Sequence, residues 1–310
     1  MSWQQIHLQC TPNQVDLSEA LFYENQAVSI LLEDAGDEPL FEPMPGEEPL
    51  WGNIILTAIF DTNSDNSHDF TQTDFQTLAQ EIAAEVGASR VWLSCLDDKD
   101  WTKEWMTHYK PIKCQGNLWI VPKWLSAPDA SAINLILDPG LAFGTGYHAT
   151  TRLCLDWLAE QDLTNKTVID YGCGSGILGV GALLLGAKVV YAVDIDPQAV
   201  LATRQNAQLN GVADRLHAFL PEEFKEFWQT QSNNADIITA NILAKPLIHF
   251  APYFANLLKN QGQIVLAGLI ENQVADVVNA YQPYFKIDEP YQYNAPEDKH
   301  WSRLSAKKYA

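Results

Sequence analysis

Two hydrophobic rhythms divide the chain. Up to residue 96, strand-like runs alternate with helix-spaced segments. Residues 6–10, 27–32, 53–60 and 90–96 read as strands, and 16–23 and 75–86 carry apolar side chains near helical spacing. The order β-α-β-β-α-β predicts a small ferredoxin-like α+β domain over 1–96. Residues 97–112 are polar and aromatic, are helix-permissive up to Pro111, and predict a linker helix. Trp101 and Trp105 stand four apart and share one face of it, either docking the linker onto a core or lining a cleft.

From about Leu118 the rhythm becomes strand, loop, helix, repeated to the end, which defines a second domain over 113–310. Strands are expected at 168–170, 189–194, 236–240, 263–267, 284–288 and 301–307. Helices are expected at 150–158, 177–185, 197–210, 246–258 and 271–281. Asp196-Pro197 is an N-cap followed by proline at the first helical position, and Gly211 is a C-terminal stop. Alternating units of this kind build a doubly wound parallel sheet that binds its ligand at the carboxyl ends of the strands. The last two strands lack a helix between them and predict an antiparallel hairpin at one edge.

Charge changes the picture for the first domain. The chain carries a net charge of −20, and residues 1–90 hold 16 Asp and Glu against one basic residue, Arg90. Such a surface repels nucleic acid and anionic membranes and attracts a basic partner, unless it is simply a solubilising surface. No stretch reaches the roughly 20 apolar residues of a membrane span. The first ten residues lack the basic and apolar regions of a signal peptide. The cysteines at 10, 95, 114, 154 and 173 form no C-x-x-C pair and are odd in number, so reduced thiols in a cytoplasmic protein are expected.

The candidate chemistry lies in two glycine-rich loops. Residues 172–176 (GCGSG) follow the apolar run 167–170, and an acidic turn, Asp194-Ile195-Asp196, comes one unit later. Gly172 permits a sharp turn, and Gly174 and Gly176 let backbone N–H groups approach a ligand. Asp194, at the end of the next strand, is placed to accept both ribose hydroxyls of an adenosine cofactor, with Asp196 better placed to cap the following helix. Gly174-x-Gly176-x-x-Gly179 also satisfies the dinucleotide pattern, so an NAD-dependent oxidoreductase is the rival reading. Two details oppose it. The turn begins at Gly172 rather than Gly174, and Asp170 sets a carboxylate at the strand end, where it would repel a pyrophosphate but hold a cationic ligand such as S-adenosylmethionine.

Residues 140–151 (GLAFGTGYHATT) lack the Lys of a phosphate loop. Thr150 and Thr151 open a helix and either hold a carboxylate on its free N–H groups or cap it. His148 is a general base or a loop histidine satisfied locally. Asn241 ends a strand, either accepting hydrogen bonds from a nucleophilic amine or making a turn before the next helix. The remaining histidines show no metal-ligand spacing, so no metal is expected.

Taken together, 97–106 (DDKDWTKEWM), 137–151 (LDPGLAFGTGYHATT), 167–178 (TVIDYGCGSGIL), 194–198 (DIDPQ) and 241–247 (NILAKPL) resemble the bacterial methyltransferases of ribosomal protein L11. The similarity runs through nearly the whole chain. LDPGLAFGTG is specific to that family, whereas DYGCGSG is shared by many methyltransferases. The resemblance implies a Rossmann-like class I methyltransferase domain with a seven-stranded, mostly parallel sheet, preceded by a ferredoxin-like domain that grips the substrate protein. It implies S-adenosylmethionine as cofactor and methyl transfer to lysine side-chain and N-terminal amines of ribosomal protein L11. It puts cofactor contacts on Thr151, Gly172, Asp194 and Asn241, to which Gly174 is added from the loop. Asn241 would also position the substrate amine. The chain departs from the family pattern at Tyr147, where Thr is expected, and at Ala149, where proline is common. A monomer with no direct nucleic acid contact is expected. A methyltransferase for another amine or amide would carry Asn/Asp-Pro-Pro-aromatic where this chain has Asn241-Ile242-Leu243-Ala244. A scaffold that had become a binding module would have lost glycines or Asp194.

Overall fold

The computed structural model describes residues 3–36, 49–62, 72–96, 106, 109–138, 140, 143–231, 234–293 and 301–310. Most of the linker helix expected at 97–112, with Trp101 and Trp105, lies outside the described residues, as does most of the acidic loop between the second and third strands. The chain forms two compact units, Met1–His108 and Tyr109–Ala310.

In the first unit the order is β1 (Trp3–Cys10), α1 (Pro12–Glu24), β2 (Ser29–Asp34), β3 (Ile54–Asp61), α2 (Gln72–Val86) and β4 (Arg90–Leu96). The sheet order is β2-β3-β1-β4, antiparallel throughout, as in a βαββαβ sandwich. Strict alternation in β1 buries Ile6, Leu8 and Cys10 against Val15 and Phe22 of α1 and Phe75, Ala79, Ile82 and Val86 of α2. The helix α1 starts earlier than its apolar spacing suggests. Thr11 and Gln14 form a capping box and Pro12 takes the first turn, where its missing N–H is not needed.

The second unit opens with strands that the sequence reading did not resolve: β5 (Ile112–Lys113), β6 (Leu118–Pro122) and β7 (Ile133–Leu137) make a small sheet of their own. There follow α3 (Ala149–Ala159), β8 (Thr167–Tyr171), α4 (Ile177–Leu184), β9 (Val189–Val193), α5 (Pro197–Leu209), β10 (Leu216–Phe219), α6 (Pro221–Gln229) and β11 (Ala235–Asn241). The chain ends with α7 (Ala244–Leu257), β12 (Leu258–Ile270), a 3-10 turn, α8 (Val274–Tyr281), β13 (Phe285–Ile287), β14 (Tyr291–Tyr293) and β15 (Trp301–Lys308). The main sheet runs β10-β9-β8-β11-β12-β15-β13, parallel from β10 to β12. It is thus seven strands along one path with an eighth, β14, paired to the start of β15. β15 is antiparallel to both neighbours and inserts between β12 and β13, so the last strands form more than an edge hairpin. Apolar clusters cover both faces of this sheet. None of the helices is long and apolar enough to cross a membrane, among the described residues.

Strand order reverses between β8 and β11. β8 leads outward through β9 to β10, while β11 leads the other way. Loops leaving β8 and β11 therefore part from each other and leave a crevice, the usual ligand position in an open α/β sheet.

Candidate active site

Gly172 follows β8 directly, and its amide donates to the carbonyl of Val193, the last residue of β9, at 2.7 Å. Gly172, Gly174 and Gly176 all take positive φ, +78°, +53° and +79°. A Cβ on Gly172 would lie 2.2 Å from Cγ2 of Ile242, and one on Gly174 would lie 2.4 Å from the carbonyl oxygen of Phe143. The sharp turn expected at Gly172 is present, and a side chain at either Gly172 or Gly174 would find no room. The space is already filled by the protein's own neighbouring loops, and glycine is needed so that three loops can meet.

Asp194 is half-buried one residue beyond β9. One carboxylate oxygen accepts from the Gly174 amide at 2.8 Å and the other from the Asp196 amide at 3.0 Å. Those bonds use two of about four lone-pair directions, so the carboxylate keeps acceptor capacity for two hydroxyls. Asp196 caps α5 through the Gln198 amide at 2.8 Å, leaving Asp194 free of that duty.

Asn241 closes β11 and donates from Nδ2 to the Thr151 hydroxyl at 3.4 Å. Thr151 is buried and is not the cap of α3. That position belongs to His148, whose Nδ1 accepts from the Thr150 amide at 3.4 Å and lies 2.7 Å from its hydroxyl. The His148 ring meets Trp301 edge-on, centroids 4.5 Å apart. His148 is thus engaged locally, as in the second of its two readings, and the alternative in which Thr150 or Thr151 caps the helix is excluded. Asn241 also does not open the next helix, which begins at Ala244.

The role expected for Asp170 is also overturned. Its carboxylate does not face a ligand: it is fully buried, accepting from the Thr239 hydroxyl and the Gly179 amide, both at 2.9 Å. Burial pushes its pKa up to about 6, against the two hydrogen bonds that lower it and with help from the nearby Asp194 charge. A buried charge so held braces the turn into α4; it does not grip a cation.

The five candidate residues are linked by contacts. Asp194 bonds to Gly174, Gly172 abuts Ile242 beside Asn241, and Asn241 bonds to Thr151. The sequence reading missed Thr239, Ile242 and Trp301 here. Thr239 had a signal, a polar residue within the apolar run of β11 on the same strand face as Asn241. Tyr147, the departure from the family pattern, exchanges hydrogen bonds through its hydroxyl with both the amide and the carbonyl of Lys110, and its ring packs on Tyr109 at 4.6 Å.

Comparison with known proteins bears on this geometry. The sequence pattern of the family described as ribosomal protein L11 methyltransferase matches residues 2–309. The ribosomal protein L11 methyltransferase of Psychrobacter cryohalolentis is 62% identical over 306 residues, 98% of each chain. That of Acinetobacter baylyi is 49% identical over 310 residues, 100% of this chain and 99% of the other. The crystal structure of a ribosomal protein L11 methylase from Lactobacillus delbrueckii subsp. bulgaricus, 31% identical, superposes with a TM-score of 0.56. It covers 65% of this chain and all of its own.

Proposed function

The chain belongs to the ribosomal protein L11 methyltransferase family, and from that premise we propose that it methylates amines of ribosomal protein L11, on lysine side chains and at the N-terminus. Its second unit carries the sheet of a Rossmann-like class I methyltransferase, and its cofactor is S-adenosylmethionine. When bound, that cofactor supplies a methyl group on a sulfonium centre. The single observation that carries the site assignment is the contact series joining Asp194, Gly174, Gly172, Asn241 and Thr151 where strand order reverses.

The residues present fit such a cofactor. Asp194 retains acceptor capacity for a ribose, on a carboxylate already oriented by two backbone amides. With Nδ2 of Asn241 turned toward Thr151, its Oδ1 is the end left to accept an amine N–H. A lysine ammonium, with pKa about 10.4, must lose a proton to expose a lone pair, and desolvation in the crevice favours the neutral amine. Holding that amine in line supplies much of the rate advantage, so Asn241 acts by alignment, and the proton leaves to water. The acidic first unit is assigned to attract the basic ribosomal protein. A monomer acting in the cytoplasm without direct contact to nucleic acid completes the proposal.

Calorimetry with S-adenosylhomocysteine and with NAD separates the two cofactor readings. Mass spectrometry of ribosomal protein L11 incubated with enzyme and S-adenosylmethionine then tests the substrate. Asn241→Ala is expected to lower turnover at least tenfold. Binding of NAD alone, or an unmodified ribosomal protein, would refute the proposal, and near-normal turnover of Asn241→Ala would remove that residue's role.

A further inference from the structure

We propose that Asn206, on α5, is a positioning residue that clasps the two glycine-rich loops together and so sets cofactor affinity; this rests on the functional reading above. Asn206 is 1% exposed. Its Nδ2 donates to the carbonyl of Ser175, in the loop after β8, at 2.8 Å, and to the carbonyl of Asp138, at the root of the other loop, at 3.2 Å. Its Oδ1 accepts from the Asp138 amide at 2.9 Å. One planar amide thus spans both loops.

Ser175 extends the clasp. Its amide donates to the Phe143 carbonyl at 2.7 Å and its hydroxyl to the Gly144 carbonyl at 2.6 Å. One turn before Asn206, Thr203 donates to the carbonyl of Gly174 at 3.0 Å. Helix α5 therefore secures two successive carbonyls of the loop whose Gly174 amide orients Asp194. A loop left untied must be ordered when ligand binds, which weakens binding; a loop tied beforehand does not carry that cost.

Asn210, which caps the C-terminus of α5, supplies the control. Its side chain makes the same kind of double bond to backbone, accepting from the Ile136 amide at 2.8 Å and donating to the Ile136 carbonyl at 2.7 Å, but reaches neither glycine-rich loop. A merely structural role predicts the same outcome for both residues. In the full-length protein, Asn206→Ala is expected to raise the Kd for S-adenosylhomocysteine and the KM for S-adenosylmethionine about tenfold or more, with kcat at saturating cofactor within about threefold. Asn210→Ala is expected to lower stability comparably and leave both constants unchanged. Asn206→Asp, nearly isosteric, keeps the acceptor and loses the donor; it is expected to follow Asn206→Ala and serves if that variant does not fold. Amide exchange at Ser175 gives a readout that needs no cofactor, and it should speed in the Asn206 variants only. Unchanged affinity and exchange in those variants, or equal losses in Asn210→Ala, would overturn the clasp. Wild-type protein that binds no S-adenosylhomocysteine would instead overturn the functional reading, and Ser175 exchange would still decide the clasp.

Discussion

Replacing Gly172 by Ala tests the claim that this glycine is needed for neighbouring loops to meet. Two effects add. The residue holds φ at +78°, where a Cβ costs about 1–2 kcal/mol. The new Cβ would also stand 2.2 Å from Cγ2 of Ile242. Carbon atoms rest about 3.5–4.0 Å apart, so roughly 1.5 Å must be opened. Forcing a methyl group into a packed site of this kind costs about 1–3 kcal/mol, for a total of about 2–5 kcal/mol. Gly211 isolates the first effect, because it holds φ at +67° with nothing within 4 Å of the position a Cβ would take. Gly211→Ala should therefore cost about 1–2 kcal/mol and leave cofactor binding alone. Urea unfolding measures the stabilities, and calorimetry with S-adenosylhomocysteine measures binding. Because Ile242 is bonded to Asn241, a shift of this size is expected to weaken binding at least tenfold in Gly172→Ala. Ile242→Ala removes the obstructing atom, so in that background the cost of Gly172→Ala should fall to that of Gly211→Ala. Equal costs for the two glycine variants, or no dependence on Ile242, would refute the reasoning.

Three further outcomes are expected. Between about pH 4, the ordinary carboxyl value, and pH 6, folded protein holds the Asp170 proton more tightly than unfolded protein, so this group's contribution to stability declines as pH rises through that window and levels off about one pH unit above it. Asp170→Asn has no such proton; its stability relative to wild type should rise by about 2 kcal/mol from pH 4 to pH 6, and a flat difference would contradict the burial of this carboxylate. Tyr147→Phe removes the hydroxyl that bridges the Lys110 amide and carbonyl, so that amide should exchange measurably faster for a stability loss of about 1 kcal/mol or less; unchanged exchange would deny the bridge. Association with the basic ribosomal protein should slow as salt rises from about 0.05 to 0.5 M, measured by stopped flow, and a rate indifferent to salt would remove the steering assigned to the acidic unit.

Elements that announce themselves within ten or fifteen residues were legible. β8, its glycine-rich loop and α4 form one uninterrupted signal, and Asp196-Pro197 marks the start of α5 by cap chemistry alone. Shorter or marginal pieces were not. β10 has four residues and lies at the sheet edge, with too few positions to establish a period. β5 has two and exists only because β6 pairs with it. Histidine is not a favoured N-cap, so the start of α3 at His148 could not be read from residue preference.

Residue types and spacing were enough to locate two glycine-rich loops, an acid after β9 and a polar residue at the end of β11, because strand, turn and cap preferences act over a few bonds. Which way those groups face was settled by partners far along the chain. Asp170 lies at a strand end like a ligand-facing acid, yet Thr239, 69 residues on, turns it into a buried brace. Gly172 reads as a turn residue from its neighbours alone, and only the fold shows that Ile242, 70 residues on, fills the place a side chain would take. Asn206 carries no local mark at all, and joins segments 31 and 68 residues away. Burial and hydrogen-bond pairing depend on which strands become neighbours, and that order is established only when the sheet assembles.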